Sequence, residues 1–267
     1  MKFLARDSVE FPDGFWDMID NTVVDNVRRF LTGRQFLPLF GPLGTGALSI
    51  QVDTAVDEKV LDGIVKTTGR QFVEIPQIFE DFTLLWRDIE YSQATGYPMD
   101  LSSIIAAAQA IAYKEDKLIF FGNEFLGVKG LLNSGSKFKK SDWSKGENAF
   151  TDVAEGLSSF RSNGILGRYT LIVSPDLFVQ LQRIQPALGM TEAERITKML
   201  NGNLIQSPIL NKNSAVLVCG ESQYMDLALG IDVKTGYLET KDFNHVFRIV
   251  ETALLRIKRN DAIIVYE

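Results

Sequence analysis

Asp100-Leu-Ser-Ser-Ile-Ile-Ala-Ala-Ala-Gln-Ala-Ile-Ala-Tyr-Lys-Glu-Asp-Lys-Leu-Ile-Phe-Phe121 runs directly into Gly122-Asn-Glu-Phe-Leu-Gly-Val-Lys-Gly-Leu-Leu132. The first part predicts one long helix from 100 to about 121. It is rich in alanine, carries Ile104, Ala108, Ile111, Glu115 and Leu118 along its length, and has Asp100 or Ser102 as a cap. Gly122 ends it. The segment 122–129 nearly imitates a phosphate-binding loop, but Lys129 comes one place too late and the glycines follow a helix instead of preceding one. They serve a tight, left-handed path after the helix.

Upstream, an amphipathic helix is predicted over 12–31. Phe15, Ile19, Val23 and Val27 recur every four residues, and Trp16, Val24, Phe30 and Leu31 widen the stripe. Arg28 and Arg29 fall in its last turn, where cations complement the helix dipole, and Gly33 is the stop. After the bend Gly41-Pro-Leu-Gly-Thr-Gly46, strands are predicted from Leu48, Ile50 and Val52, then Ile64 and Val65, then Phe72, Val73 and Ile75. Asp53, Asp57, Glu58, Lys59 and Asp62 interrupt them, so 47–82 reads as a long solvated β-hairpin arm with no core of its own. Such an arm is a pairing hazard unless something covers it.

Downstream, 133–146 is a polar, lysine-rich loop and a helix follows over 149–161. Tyr169–Val173 reads as a buried strand leading into Ser174-Pro175-Asp176, a cap with proline in the first turn. Thr191 and Glu194 stand at capping-box spacing and open a helix toward Leu200. The remainder is strand-like, over 215–219, 224–229, 236–239, 246–258 and 262–266. The chain is α+β, without repeat, linker or low-complexity tract.

The 267 residues are 45% hydrophobic and 23% charged, ordinary globular usage that excludes disorder and collagen-like repeats. Lys plus Arg number 28 against 34 Asp plus Glu, a net charge of −6. Neither duplex DNA nor an anionic membrane is therefore expected as the main partner. The start, Met1-Lys-Phe-Leu-Ala-Arg-Asp, turns charged before a signal-peptide core forms. The greasiest stretch, 104–112, contains Gln109 and is far below the ~20 residues of a membrane span. One cysteine, Cys219, and the lack of an Asn-x-Ser/Thr sequon suit a reducing cytoplasm.

No catalytic constellation is found. The single histidine, His245, rules out a multi-histidine metal site, and beside Asn244 it reads as a turn or surface residue. Cys219, among Val216, Leu217 and Val218, reads as a buried hydrophobe. The acidic pairs Asp57/Glu58 and Glu115/Asp116 read as solvated faces. No catalytic residue, metal or cofactor is expected, and the chain is not expected to be an enzyme.

The block from Phe120 to Leu132 resembles a signature of encapsulins, the protein-shell nanocompartments of bacteria and archaea. Further blocks stand in collinear order: Trp16-x-x-Ile19-Asp20, Gly33-Arg34-x-Phe36, Gly41-Pro42, Phe82-Thr-Leu with Trp86, Asp100-Leu-Ser, Tyr169-Thr-Leu-Ile-Val, Leu229-Gly230 with Gly236-Tyr237, and Val250-Glu251-Thr252. The resemblance implies the tailed-bacteriophage major-capsid fold. Its parts would be an N-terminal helix and arm over 1–40, an extended loop over 47–79, a peripheral domain over 80–132 and 224–267, and an axial domain over 133–223. It also implies a non-enzymatic subunit that self-assembles into an icosahedral shell of sixty copies or a multiple, the arm covered by a neighbour. The compact arm favours sixty.

Such a shell would lie in the cytoplasm and enclose a cargo enzyme recruited by a targeting peptide at the cargo's C-terminus. A ferritin-like iron-storage protein is the first expectation and a dye-decolorising peroxidase the second. Carried over residue by residue, Val27, Leu31, Arg34 and Phe36 face Gly230, Ile231, Asp232 and Val233 across the peptide groove. The apolar members would hold peptide side chains, and Arg34 a carbonyl or carboxylate. Pro38 departs from the family, since some relatives carry an acidic residue there. Gln185, Pro186, Ala187, Leu188, Gly189, Met190 and Thr191 fall where a loop rings the fivefold pore, and their lack of charge predicts no carboxylate filter for the small solutes that pass. Trp86 is expected to pack in the interior. The alternative is a phage or prophage major capsid protein packaging DNA, which the N-terminal helix and the acidic balance disfavour.

Overall fold

In the computed structural model, which describes residues 1–52, 57–185 and 189–267, the helices α1 (Phe15–Phe30), α2 (Trp86–Thr95) and α3 (Ser102–Phe121) organise the first half of the chain. α3 begins where Asp100 Oδ1 accepts from the Ser102 amide at 2.9 Å and its hydroxyl at 2.6 Å. It buries Ile104, Ala108, Ile111 and Leu118, as the spacing predicts. α1 packs along it and buries Phe15, Ile19, Val23 and Val27. The structure overturns the reading of the acidic pair on α3: Glu115 and Asp116 are 0% and 3% exposed, not a solvated face. Their carboxylates are buried because cationic and backbone donors meet them there, which a charge pattern alone does not reveal.

Gly122 leaves α3 at φ +69°, and the hairpin Gly122–Asn123 with Val128–Lys129 folds the chain back. Gly130 then lies against the helix end, where a methyl group would run into the Gly122 amide and the Phe120 carbonyl. The glycines permit backbone to touch backbone.

α3 packs on a sheet built round the long strand Asn244–Ile257. One edge of that strand pairs with Gln77–Leu84. Along the other, Met225–Leu229 and Lys234–Lys241 pair in succession, with Leu39–Phe40 parallel to the former. Leu229 faces Ala253 and Lys234 faces Val250, so four residues, 230–233, stand against two and bulge outward. A second sheet has the order Asn203–Gln206, Tyr169–Val173, Ala215–Cys219, Ile263–Tyr266, Ser136–Phe138. Residues 263–266 pair in this second sheet, where the turn Asn260–Ala262 delivers a wholly buried apolar strand. The capping box of Thr191 and Glu194 forms as its spacing predicts. Cys219 is buried, and desolvation pushes its thiol up to about 12.

α2 has no counterpart in the sequence reading. Ile89 is its buried residue, so no apolar stripe announces it. Trp86, expected inside, opens this helix at 41% exposure. The arm consists of two ladders, Ser49–Gln51 with Phe72–Glu74 and Asp57–Leu61 with Ile64–Thr68. Val60, Leu61, Ile64 and Val65 are each more than half exposed at its outer end. Asp53 lies outside the described residues.

Gly130→Ala is expected to cost about 3 kcal/mol, since the added methyl must displace backbone on two sides. A urea unfolding midpoint within error of the parent's would disprove that account of the hairpin.

Candidate functional site

α1 ends as Leu31 turns extended, and Gly33–Gln35 forms a tight 3-10 turn against α3. Asp116 fixes the approach: its Oδ2 accepts from the Thr32 amide and its Oδ1 from the Gly33 amide, both at 2.8 Å. This places Arg34 among three carboxylates. Its Nε donates to both oxygens of Glu115 at 3.0 Å. Nη2 reaches Glu115 Oε2 at 2.5 Å and Glu251 Oε2 at 2.7 Å, while Nη1 reaches Asp232 Oδ1 at 2.7 Å. The bulge at 230–233 is what brings Asp232 there, with its Oδ1 also accepting from the Val233 amide at 2.9 Å.

Burial alone would lower the Arg34 guanidinium, but the hydrogen bond and charge of Glu115, with Glu251 and Asp232, raise it above its ordinary value. Burial likewise raises Asp116, to about 6, against the hydrogen bonds from Gly33 and Thr32. Asp232 is half exposed and held low, the pull of Arg34 outweighing its partial burial. Four of the five Arg34 N–H groups are engaged. An incoming carboxylate would meet three others around one cation.

Of the remaining carried-over residues, Val27, Leu31 and Phe36 are 3%, 2% and 8% exposed, and Gly230 and Val233 are buried as well. Phe36 packs toward Phe120, ring centroids 6.2 Å apart. Ile231 and Asp232 reach the surface. Ile231 lines a cavity of about 640 Å³ with Phe3, Leu4, Leu48, Ile75, Tyr237 and Val250. Arg248 on its wall is paired with Asp81 at 2.7 and 2.8 Å. Phe3 and Leu4 were not among the residues singled out by sequence. The available signal was Gly236, where a side chain would crowd the Leu4 backbone.

The expected pore segment has an ordered base. Ile184–Gln185 pairs with Met190–Thr191, and the Gly189 amide donates to the Gln185 carbonyl at 3.0 Å with φ +65°. Pro186, Ala187 and Leu188 lie outside the described residues. His245 is partly buried, its ring 5.0 Å from that of Phe11, and desolvation lowers its pKa. It packs the N-terminal segment against the sheet.

A family described as "encapsulating protein for peroxidase" matches residues 1–254. A diheme-cytochrome–encapsulin shell fusion protein of Kuenenia stuttgartiensis is 36% identical over 262 residues, 94% of this chain and 72% of its own. A type 1 encapsulin shell protein of Myxococcus xanthus is 35% identical, covering 94% of this chain and 92% of its own. Among solved structures, a virus-like particle from Pyrococcus furiosus superposes with a TM-score of 0.77 at 23% identity, over 96% of this chain and 100% of that one. The capsid of the Myoviridae phage XM1 does so at 0.63 and 12%, over 87% and 90%. These two likenesses establish the fold.

Replacing Arg34 by Met leaves two buried glutamates without their cation and is expected to cost about 3–5 kcal/mol in urea unfolding. Asp232→Ala, at the half-exposed rim, should cost about 1 kcal/mol or less. Equal losses for the two variants would show that the buried pairs do not dominate the node.

Proposed function

The chain belongs to the encapsulin family of shell proteins, and from that premise we propose that sixty copies of it close an icosahedral compartment around a separate cargo enzyme. Its fold is that of tailed-phage major capsid proteins, and its role is structural, as a subunit assembling with copies of itself. The observation that carries closure is the arm: Val60, Leu61, Ile64 and Val65 are 55–76% exposed on a hairpin whose two strands, 57–61 and 64–68, bury no side chain. Burying such side chains contributes about 1.5–3 kcal/mol each, and a neighbouring copy supplies the surface. The subunit performs no chemistry in this reading; it encloses it.

The cargo is read as a ferritin-like protein first and a dye-decolorising peroxidase second. Support comes from the names of relatives, which include a ferritin-like–encapsulin shell fusion protein of Pyrococcus furiosus at 23% identity. The cargo's C-terminal peptide would dock where Ile231 and Asp232 meet the surface beside the 640 Å³ cavity. Val27, Leu31 and Phe36 would support that surface from beneath. The hairpin ending in Gln185 and beginning again at Gly189 would line a fivefold opening for small solutes. A cytoplasmic site is consistent with the described residues, none of whose helices is long and apolar enough to cross a membrane. A DNA-packaging capsid is the weaker reading, because the net charge is −6 and the phage likeness extends to the fold alone.

Expressed by itself and viewed by electron microscopy, the protein is expected to form hollow, uniform icosahedral particles. A monomer or small oligomer at micromolar concentration would end the shell reading, and particles filled with DNA would revive the capsid one. Leu61→Glu with Ile64→Glu should leave folded subunits that do not assemble. For the peptide, Ile231→Asp should lower retention of a cargo-tailed reporter by about tenfold or more with particles intact. Unchanged loading would remove Ile231 from the docking surface.

A further inference from the structure

Glu115 and Glu251 approach one cation from two elements, α3 and the long strand, with 0% and 1% of their side chains exposed. Both take Arg34 Nη2, at 2.5 and 2.7 Å, and Asp232 takes Nη1 at 2.7 Å. With every group ionised, the node would hold three carboxylates against one guanidinium. Asp116, 3% exposed, stands next to Glu115 on α3 and faces the Thr32 and Gly33 amides. Lys234 acts on Asp232 from the solvent side. Among the described residues no second cation pairs with the two buried glutamates. Like charges sharing a dry site are relieved by retaining a proton. A protonated carboxyl also becomes a donor to its neighbour, which turns repulsion into a hydrogen bond.

We propose that the Glu115–Glu251 pair stores one proton at neutral pH, and that losing it in alkaline solution loosens the turn that ties α1 to α3 and the sheet. The proton resides on Glu251, which burial and then the Glu115 charge hold well above the ordinary carboxylate range. Asp116, at about 6, has already released its own proton by neutrality. Between the ordinary carboxylate range and the folded value of Glu251, the native chain binds more protons than the unfolded chain. Stability present at lower pH is therefore lost as the pH rises through that value. When Glu251 charges, it repels Glu115 across Arg34, and residues 32–34 are the segment held between them. This node operates within one folded subunit, independently of what the shell encloses.

The test is infrared spectroscopy of the assembled protein, parent against Glu251→Gln, with thermal unfolding from pH 7 to 9 alongside. The parent should show the carbonyl band of a protonated carboxylic acid at pH 7, which bleaches as the pH is raised. The band should be absent from Glu251→Gln, whose thermal midpoint should fall less steeply, by roughly 4 °C per pH unit in the range below the folded value of Glu251. Glu115→Gln, which leaves Glu251 alone with Arg34, should also abolish the band and serves if the first variant does not fold. Asp232→Asn should keep it. A parent without the band at pH 7, a band surviving in either glutamine variant, or equal alkaline slopes would overturn the proposal.

Discussion

Arg34 is the charged node that ties the turn after α1 to three other parts of the fold. One guanidinium joins the turn after α1 to α3 through Glu115, to the long strand through Glu251 and to the bulge at 230–233 through Asp232. Buried ion pairs recover their desolvation cost only when geometry and hydrogen bonding are nearly complete. Here two neighbours set the geometry. Asp116 clamps two consecutive amides, and Gly33 has no side chain because one would strike Ile119.

The bulge is the second half of the same constraint. A regular antiparallel partner for Asn244–Ile257 would carry straight on from Leu229 to Lys234. Two extra residues let the Gly230 amide bond the Thr252 carbonyl, and the Thr252 amide the Ile231 carbonyl, both at 2.9 Å. The same detour turns Asp232 toward Arg34 and leaves Ile231 on the surface. Polar node and apolar rim therefore come from one local irregularity, which explains why a charged interior contact and a candidate docking surface are sequence neighbours.

Legibility from sequence followed periodicity. Helices α1 and α3 and the buried strands Tyr169–Val173 and Ala215–Cys219 have patterns that local rules read directly. α2 escaped because a helix burying Ile89 alone leaves no stripe. Glu115 and Asp116 escape for a related reason: a carboxylate is placed by its partners, and those lie 81 to 84 residues away, in Arg34 for Glu115 and in the Thr32 and Gly33 amides for Asp116. Arg34 and Asp232 could be named through the resemblance, and the structure brings them together. That Val27, Leu31 and Phe36 are interior required the packing itself.

The arm shows why such a subunit needs more than one neighbouring surface. Val60 pairs with Val65 and Leu61 with Ile64 across the hairpin. Successive strand residues point to opposite faces, so one pair lies on each side of the ladder. Laying the arm flat against a single surface would bury one pair and leave the other in water. Both are covered together when the arm is inserted between two surfaces. A contact in which one part of a subunit fits a different part of another propagates until rotation closes it. Asp57, Glu58, Lys59, Asp62 and Lys66 crowd the same hairpin with charge of both signs, which keeps an unassembled arm from pairing edge to edge with another copy before it finds that place.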